Sequence, residues 1–246
     1  MIKRNRIRSF LFRSRNIQKL LSGLYMVEKP EGNVILVIAP HPDDDIIGCG
    51  GTIKLHRMSG HSVYIVYLTE GEKGIEGKDK NETSEIRKAE AIRAASKLDV
   101  SNTNLFYLHL EDGNVIKNSG MSTEFKKILE TIRPEMIYVP SFFETHPDHY
   151  AANILLQHNL TFGVTIAGYE VWTPLIPNLL VNISTVAEEK RNALQEHASQ
   201  LNQLPYDDAS LSLNRYRAAM FGKDAQYAEA FIYCNSVTYF NLMKQH

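Results

Sequence analysis

Two short segments of this 246-residue chain carry the residue types that hydrolytic metal chemistry needs, His41-Pro42-Asp43-Asp44 and His146-Pro147-Asp148-His149. Both have the form His-Pro-Asp-(Asp/His). Proline fixes its own φ and restrains the residue before it, so the flanking side chains are held at set offsets. Zinc takes imidazole nitrogen and carboxylate oxygen, and a catalytic zinc keeps three protein ligands with one position for water. His41, Asp44 and His149 supply such a set from two loops, and another divalent ion would suit the same donors. A bound metal lowers the pKa of its water toward ~7, and a nearby carboxylate can take the proton. Asp43, next to Asp44, is the natural base. His146 can donate to the oxyanion or to the leaving amine, and Asp148 can orient that imidazole through a hydrogen bond. One His-Pro-Asp alone is usually a turn, and Asp44 or Asp45 before a helix is usually an N-cap. Two such clusters that jointly complete a metal set argue against the plain-turn reading.

Both clusters sit where strands end. Val34-Ile35-Leu36-Val37-Ile38-Ala39 is a continuously apolar, β-branched run of the kind buried on both faces of a parallel sheet, and it stops at Pro40. Met136 to Val139 is a second apolar strand, closed by Pro140. After the first cluster the pattern predicts a helix over Ile46–Ser59, with Gly48, Gly50 and Gly51 letting its backbone approach the sheet. Next come a strand over Ser62–Leu68, a Gly- and Lys-rich loop over Thr69–Asn81 and an amphipathic helix over Glu82–Leu98. A short strand over Leu105–Leu108 and a helix over Ser122–Ile132 precede Met136. This alternation predicts an α/β fold, one domain with a largely parallel central sheet flanked by helices and joined by right-handed crossovers. Ligands of such sheets bind beyond the carboxyl ends of the strands, at the topological switch point. Beyond Gly168 the pattern predicts only a helix near Val186–Leu201 and a strand near Ala230–Cys234.

Composition narrows the class. An apolar share of 43% and a charged share of 22% fit a single globular domain. Cys49 and Cys234 give neither a disulfide framework nor a Cys-x-x-Cys pair, so a reducing, cytoplasmic setting is expected. No apolar run reaches the ~20 residues that cross a bilayer. The net charge of −1 is uneven: seven of the 27 Lys and Arg lie in residues 1–19, leaving 20 basic against 28 acidic residues elsewhere. A body of −8 excludes general nucleic-acid binding, which draws on clustered cations. Residues 1–30 therefore read as a basic arm preceding a domain over 31–246. Phe10, Ile17, Leu20, Leu21 and Leu24 share one helical face of this arm. Such a helix suits peripheral contact with an anionic membrane at the cytoplasmic face, or packing on the body or on a second subunit of a homo-oligomer.

The segment from Ala39 to Ile53, with its Pro40-His41-Pro42-Asp43-Asp44-Asp45 core, resembles the signature of the PIG-L/LmbE-like family of zinc-dependent N-acetylglucosamine deacetylases. His146-Pro147-Asp148-His149 matches the second family signature. Weaker matches are Thr69-Glu70-Gly71-Glu72, Arg87-Lys88-Ala89-Glu90, Ser199-Gln200 and Glu229-Ala230-Phe231. The resemblance covers about residues 33–235. It implies a Rossmann-like fold, zinc on His41, Asp44 and His149, a general base at Asp43, and oxyanion or acid duties at His146. It also implies that Arg87 reaches the active site. Asp45 departs from the glutamate usual in the family, a change expected to affect local packing rather than activity.

The remaining features have plainer readings. His56, His158 and His197 fall in predicted helices and are expected to be satisfied or exposed, with His61 and His109 in loops near strand ends. Gly71, Gly74 and Gly77 lack a phosphate-cradle spacing and suit a mobile rim loop. The expected activity is hydrolysis of the N-acetyl group of an amino sugar of the N-acetylglucosamine type, with release of acetate. The sugar's carrier, nucleotide, lipid or none, depends on loops that the motifs do not specify. Two alternatives stand beside it: a metal-dependent amidase acting on a non-sugar or thiol-conjugate amide, and a metal-free sugar- or nucleotide-binding module.

Overall fold

The computed structural model describes residues 23–120, 122–219 and 224–244. The basic arm up to Ser22, and with it most of the membrane-facing helix read there, lies outside the described residues. Among the described residues eight strands form one sheet in the order β1-β7-β8-β6-β5-β2-β3-β4. They are β1 (Tyr25–Val27), β2 (Val34–Ala39), β3 (Ser62–Tyr67), β4 (Leu105–Tyr107), β5 (Met136–Pro140), β6 (Thr165–Tyr169), β7 (Leu179–Asn182) and β8 (Ala228–Asn235). Every pairing is parallel except those of β8, which runs antiparallel between β6 and β7. The sheet is therefore largely parallel, as the sequence predicts.

Strand β2 shows why. Its side chains alternate between two apolar cores, with Ile35, Val37 and Ala39 in one and Leu36 and Ile38 in the other. A strand that must be apolar on both faces reads as an unbroken apolar run. The first core is closed by α1 (Asp44–Met58), α2 (Lys80–Lys97) and α5 (Ala187–Gln195). The second is closed by α3 (Thr123–Ile132), α4 (Pro147–Asn159) and α8 (Ser236–Met243). The short α6 (Ala198–Leu201) and the longer α7 (Tyr206–Ala219) complete the helices, α7 packing Ala218 against β7 and β8. No described helix is long and apolar enough to cross a membrane.

The C-terminal part departs from expectation. The helix expected near Val186–Leu201 is two, α5 and α6, separated at Glu196 and His197. The strand expected near Ala230–Cys234 extends from Ala228 to Asn235. Tyr25–Val27, inside the segment read as an arm, pairs with β7 as an edge strand, so the sheet begins before residue 31.

Candidate active site

Strands β2 and β5 are neighbours, and the chain continues from β2 outward to β3 on one side and from β5 outward to β6 on the other. The order reverses between them, which makes this the switch point where a parallel sheet opens a crevice beyond its carboxyl ends. Each of the two strands ends by delivering one His-Pro-Asp cluster there. Their side chains line a cavity of about 370 Å³ that includes His41, Asp43, Asp44, Arg87 and His146.

Asp44 is the centre of the cluster. Its Oδ2 lies 3.1 Å from His41 Nδ1 and 3.3 Å from His149 Nε2. The opposite nitrogen of each ring is held by carboxylates. His41 Nε2 is 3.3 Å from Asp148 Oδ2 and 3.2 Å from Asp112 Oδ1, and His149 Nδ1 is 3.3 Å from Glu144 Oε2. His149 Nε2 is buried without a hydrogen-bond partner among the described residues. An imidazole that donates one N–H to a carboxylate and turns an unpartnered nitrogen toward a second carboxylate is arranged as metal-ligating histidines are. The donor set therefore fits a divalent cation. His146 is a further donor: one ring nitrogen each of His41, His146 and His149 lie within 4.8 Å of one another, as do the donor atoms of His41, Asp112 and Asp148. Among these groups burial opposes the charge of His149, but Asp44 and Glu144 outweigh it and raise its pKa to about 9.

Asp43 faces a different partner. It occupies the N-cap position of α1 without capping it, and its Oδ2 instead accepts from Arg87 Nη2 at 2.9 Å. Burial pushes the Asp43 carboxyl up to about 6, with the Arg87 guanidinium opposing the shift. Arg87, on α2, is itself buried and donates further to Pro42 O and Gly71 O. Two glycines of the rim loop are explained by this contact. A Cβ on Gly71, which has φ +63°, or on Gly74 would run into the guanidinium. The loop is also tied down: Lys73 donates from its backbone to Asp112 Oδ2 and from Nζ to the Asp112 carbonyl.

The start of α1 is fixed against the sheet. A Cβ on Gly48 would strike the ring of Tyr169 on β6, and one on Gly51 would come to 2.7 Å from Ile183. Cys49 is non-helical (φ −145°, ψ 23°), which frees Ile47 O and the N–H groups of Gly51 and Thr52 from their helical partners. Ile47 O accepts from Lys190 Nζ (2.8 Å) and Ser210 Oγ (3.1 Å). Glu229 accepts from Gly51 N (2.9 Å) and Thr52 N (2.8 Å), and Lys190 Nζ closes the circuit on Glu229 Oε1 at 2.8 Å.

Several expectations change. Asp148 does not hold the His146 imidazole. Its carboxylate takes the N–H groups of Gly113 (2.7 Å) and Val115 (3.0 Å) together with His41 Nε2, because the chain after β4 passes over the first turn of α4. His146 meets Asp148 only through the Asp148 N–H, which donates to its Nδ1 at 3.2 Å. Neither Asp44 nor Asp45 is an N-cap: both lie in the first turn of α1. Asp45 is buried, accepts from Tyr67 OH at 3.0 Å, and leaves Oδ1 without a partner among the described residues, consistent with its shorter side chain. His56 is satisfied by Tyr138 OH and His61. His197 is neither satisfied nor exposed: it is buried, and neither ring nitrogen has a partner among the described residues. Asp112 and Glu144 carry contacts at the centre that the sequence reading did not anticipate, although Glu144 sits only two residues before His146.

The geometry finds its counterpart among known proteins. The family described as "PIG-L: GlcNAc-PI de-N-acetylase" matches residues 36–158, half of the chain, from β2 to the last turn of α4 and so across both clusters. This chain belongs to the PIG-L family. As a member it is a hydrolytic deacetylase, the class expected from its motifs. Diacetylchitobiose deacetylase of Thermococcus kodakarensis is 29% identical over 204 residues, covering 74% of this chain and 76% of the relative. A probable N-acetyl-α-D-glucosaminyl L-malate deacetylase of Bacillus subtilis is 26% identical over 68% of this chain and 82% of its own length. The solved structure of N,N′-diacetylchitobiose deacetylase from Pyrococcus horikoshii, complexed with its inhibitor, matches with a TM-score of 0.70 at 25% identity, over 83% of this chain and 84% of that one.

Proposed function

We propose that the protein removes the acetyl group from an N-acetylated amino sugar of the N-acetylglucosamine type, with zinc held by His41, Asp44 and His149. The observation that carries the ligand assignment is the position of Asp44 Oδ2, facing one nitrogen of each histidine while carboxylates hold the other two. The relatives named for diacetylchitobiose and for glucosaminyl malate support an amino-sugar amide as substrate.

A divalent ion supplies, when bound, a water of lowered pKa and polarisation of the amide carbonyl. Asp43 accepts the proton of the attacking water at its carboxylate. Burial gives this group a pKa of about 6, basic enough to take a proton and still ionised near neutral pH. Arg87 keeps the Asp43 carboxylate turned into the cavity through Oδ2. The leaving amine takes the proton held by Asp43, and His146 donates a hydrogen bond to the developing oxyanion. His146 Nδ1 accepts the Asp148 N–H, so in the neutral ring the proton resides on Nε2. Glu144 fixes the tautomer of His149 by taking Nδ1–H, leaving Nε2 as the donor toward the cation. A lipid-linked sugar in the cytoplasm would give the basic arm a docking purpose.

The test is acetate release from free, nucleotide-linked and lipid-linked N-acetyl sugars, by the wild type and by Asp43→Asn. We expect release from at least one carrier class, and a kcat lowered by roughly 10²–10⁴ in the variant. Near-normal kcat in Asp43→Asn would remove the base assignment.

A further inference from the structure

A second cavity, of about 220 Å³, adjoins the catalytic one, and Ile47, Trp172 and Tyr206 line both. The joint lies one helical turn beyond Asp43 and Asp44, because Ile47 follows them on α1. Trp172 and Tyr206 meet edge to face there, with centroids 5.2 Å apart, and Trp172 remains 48% exposed. Beyond the joint the walls include Gly48, Pro174, Ala209, Leu213 and Ala230. The polar residues of this chamber are engaged within the protein. Ser210 Oγ donates to Ile47 O, Asn214 Oδ1 accepts from Lys190 Nζ, and the Glu170 carboxylate is paired with Arg217 and with the Leu175 N–H. What the chamber offers an occupant is mainly hydrocarbon surface.

We infer that this chamber is a substrate subsite for a short hydrocarbon group carried by the sugar. The inference rests on the deacetylase reading, since the chamber shares Ile47, Trp172 and Tyr206 with the catalytic cavity and a sugar seated there reaches it across them. Two positions on the sugar could carry that group: an N-acyl chain longer than acetyl, or an alkyl chain on the anomeric oxygen. Burial of each methylene there raises kcat/KM by about fourfold until the chamber is full.

The metal-loaded full-length enzyme is assayed on two series. One is glucosamine carrying N-acetyl, N-butyryl and N-hexanoyl groups; the other is N-acetylglucosamine as its methyl, butyl and hexyl glycosides. A rise with chain length in the first series places the acyl group in the chamber, and a rise in the second places the glycosidic chain there. Ala209→Trp, an exposed helix position outside the catalytic cavity, fills the chamber and abolishes the rise while turnover of N-acetylglucosamine is unchanged. Leu213→Ala widens it and lets the rise continue to longer chains. Flat series, or a rise that survives Ala209→Trp, would overturn the subsite and leave the deacetylase reading intact. No release of carboxylate from any sugar would remove both.

Discussion

Lys190→Met should unfold this protein more easily than any surface change, because it breaks a fully buried ion pair. Lys190 and Glu229 are both 0% exposed at their side chains. Lys190 Nζ makes three hydrogen bonds, to Ile47 O, Asn214 Oδ1 and Glu229 Oε1, at 2.8–2.9 Å. Methionine is close in volume, so little cavity forms. The loss is electrostatic: Glu229 keeps only the Gly51 and Thr52 N–H groups, and Ile47 O keeps only Ser210. Removing one member of a buried pair costs about 3–5 kcal/mol. For a chain of this size, at about 2–4 °C per kcal/mol, the melting temperature should fall by roughly 6–20 °C. Urea and thermal unfolding followed by far-ultraviolet circular dichroism measure it. The double variant Lys190→Met/Glu229→Gln should recover a large part of the loss, since no charge is then left buried alone. A single variant within about 1 kcal/mol of wild type would refute the claim that this pair secures the kinked start of α1.

Two other perturbations follow from the same geometry. Glu144→Gln should weaken metal affinity by about 10–100-fold, read by competition with a chelator, because a neutral amide accepts His149 Nδ1–H more weakly than a carboxylate and lends the ring no charge; unchanged affinity would mean that Glu144 serves only the N–H groups of Val171, Trp172 and Thr173, which its carboxylate also accepts. His56 is buried, and that burial, with His61 beside it, lowers its pKa to about 3 from the ordinary 6.5. The unfolded chain therefore binds the proton that the folded chain refuses. Stability is complete above about pH 6.5 and is lost as pH falls toward 3, by about 1.4 kcal/mol per unit. His56→Gln should flatten that slope in denaturation measured across this window, and an unchanged slope would assign the acid sensitivity elsewhere.

The first two-thirds of the fold was legible because β2 and β5 are buried on both faces and read as unbroken apolar runs, with a proline ending each. The later elements carry weaker signals. Strand β7 is only Leu-Leu-Val-Asn, β6 holds Gly168 where Tyr239 packs against it, and α7 mixes apolar residues with Asn214, Arg215 and Arg217. At the site, His41, Asp43, Asp44, His146, Asp148 and His149 could be singled out because two motifs repeat one spacing. Asp112 and Glu144 could not: each is an acid in a loop without periodic context, and Asp112 reaches His41 only because the chain after β4 folds over α4. The same fold-over misled the reading of Asp148, whose oxygens were already claimed by backbone N–H groups.

The central claim is that His41, Asp44 and His149 hold one metal ion while Asp43 and His146 act on the substrate. Metal content per chain, measured on purified wild type and on single variants at each of the five positions, tests it most directly. About one divalent ion is expected in the wild type, in Asp43→Asn and in His146→Ala, with the ion lost in His41→Ala, Asp44→Ala and His149→Ala. Full metal in Asp44→Ala together with loss in His146→Ala would contradict it, and would move the centre to the three histidines His41, His146 and His149.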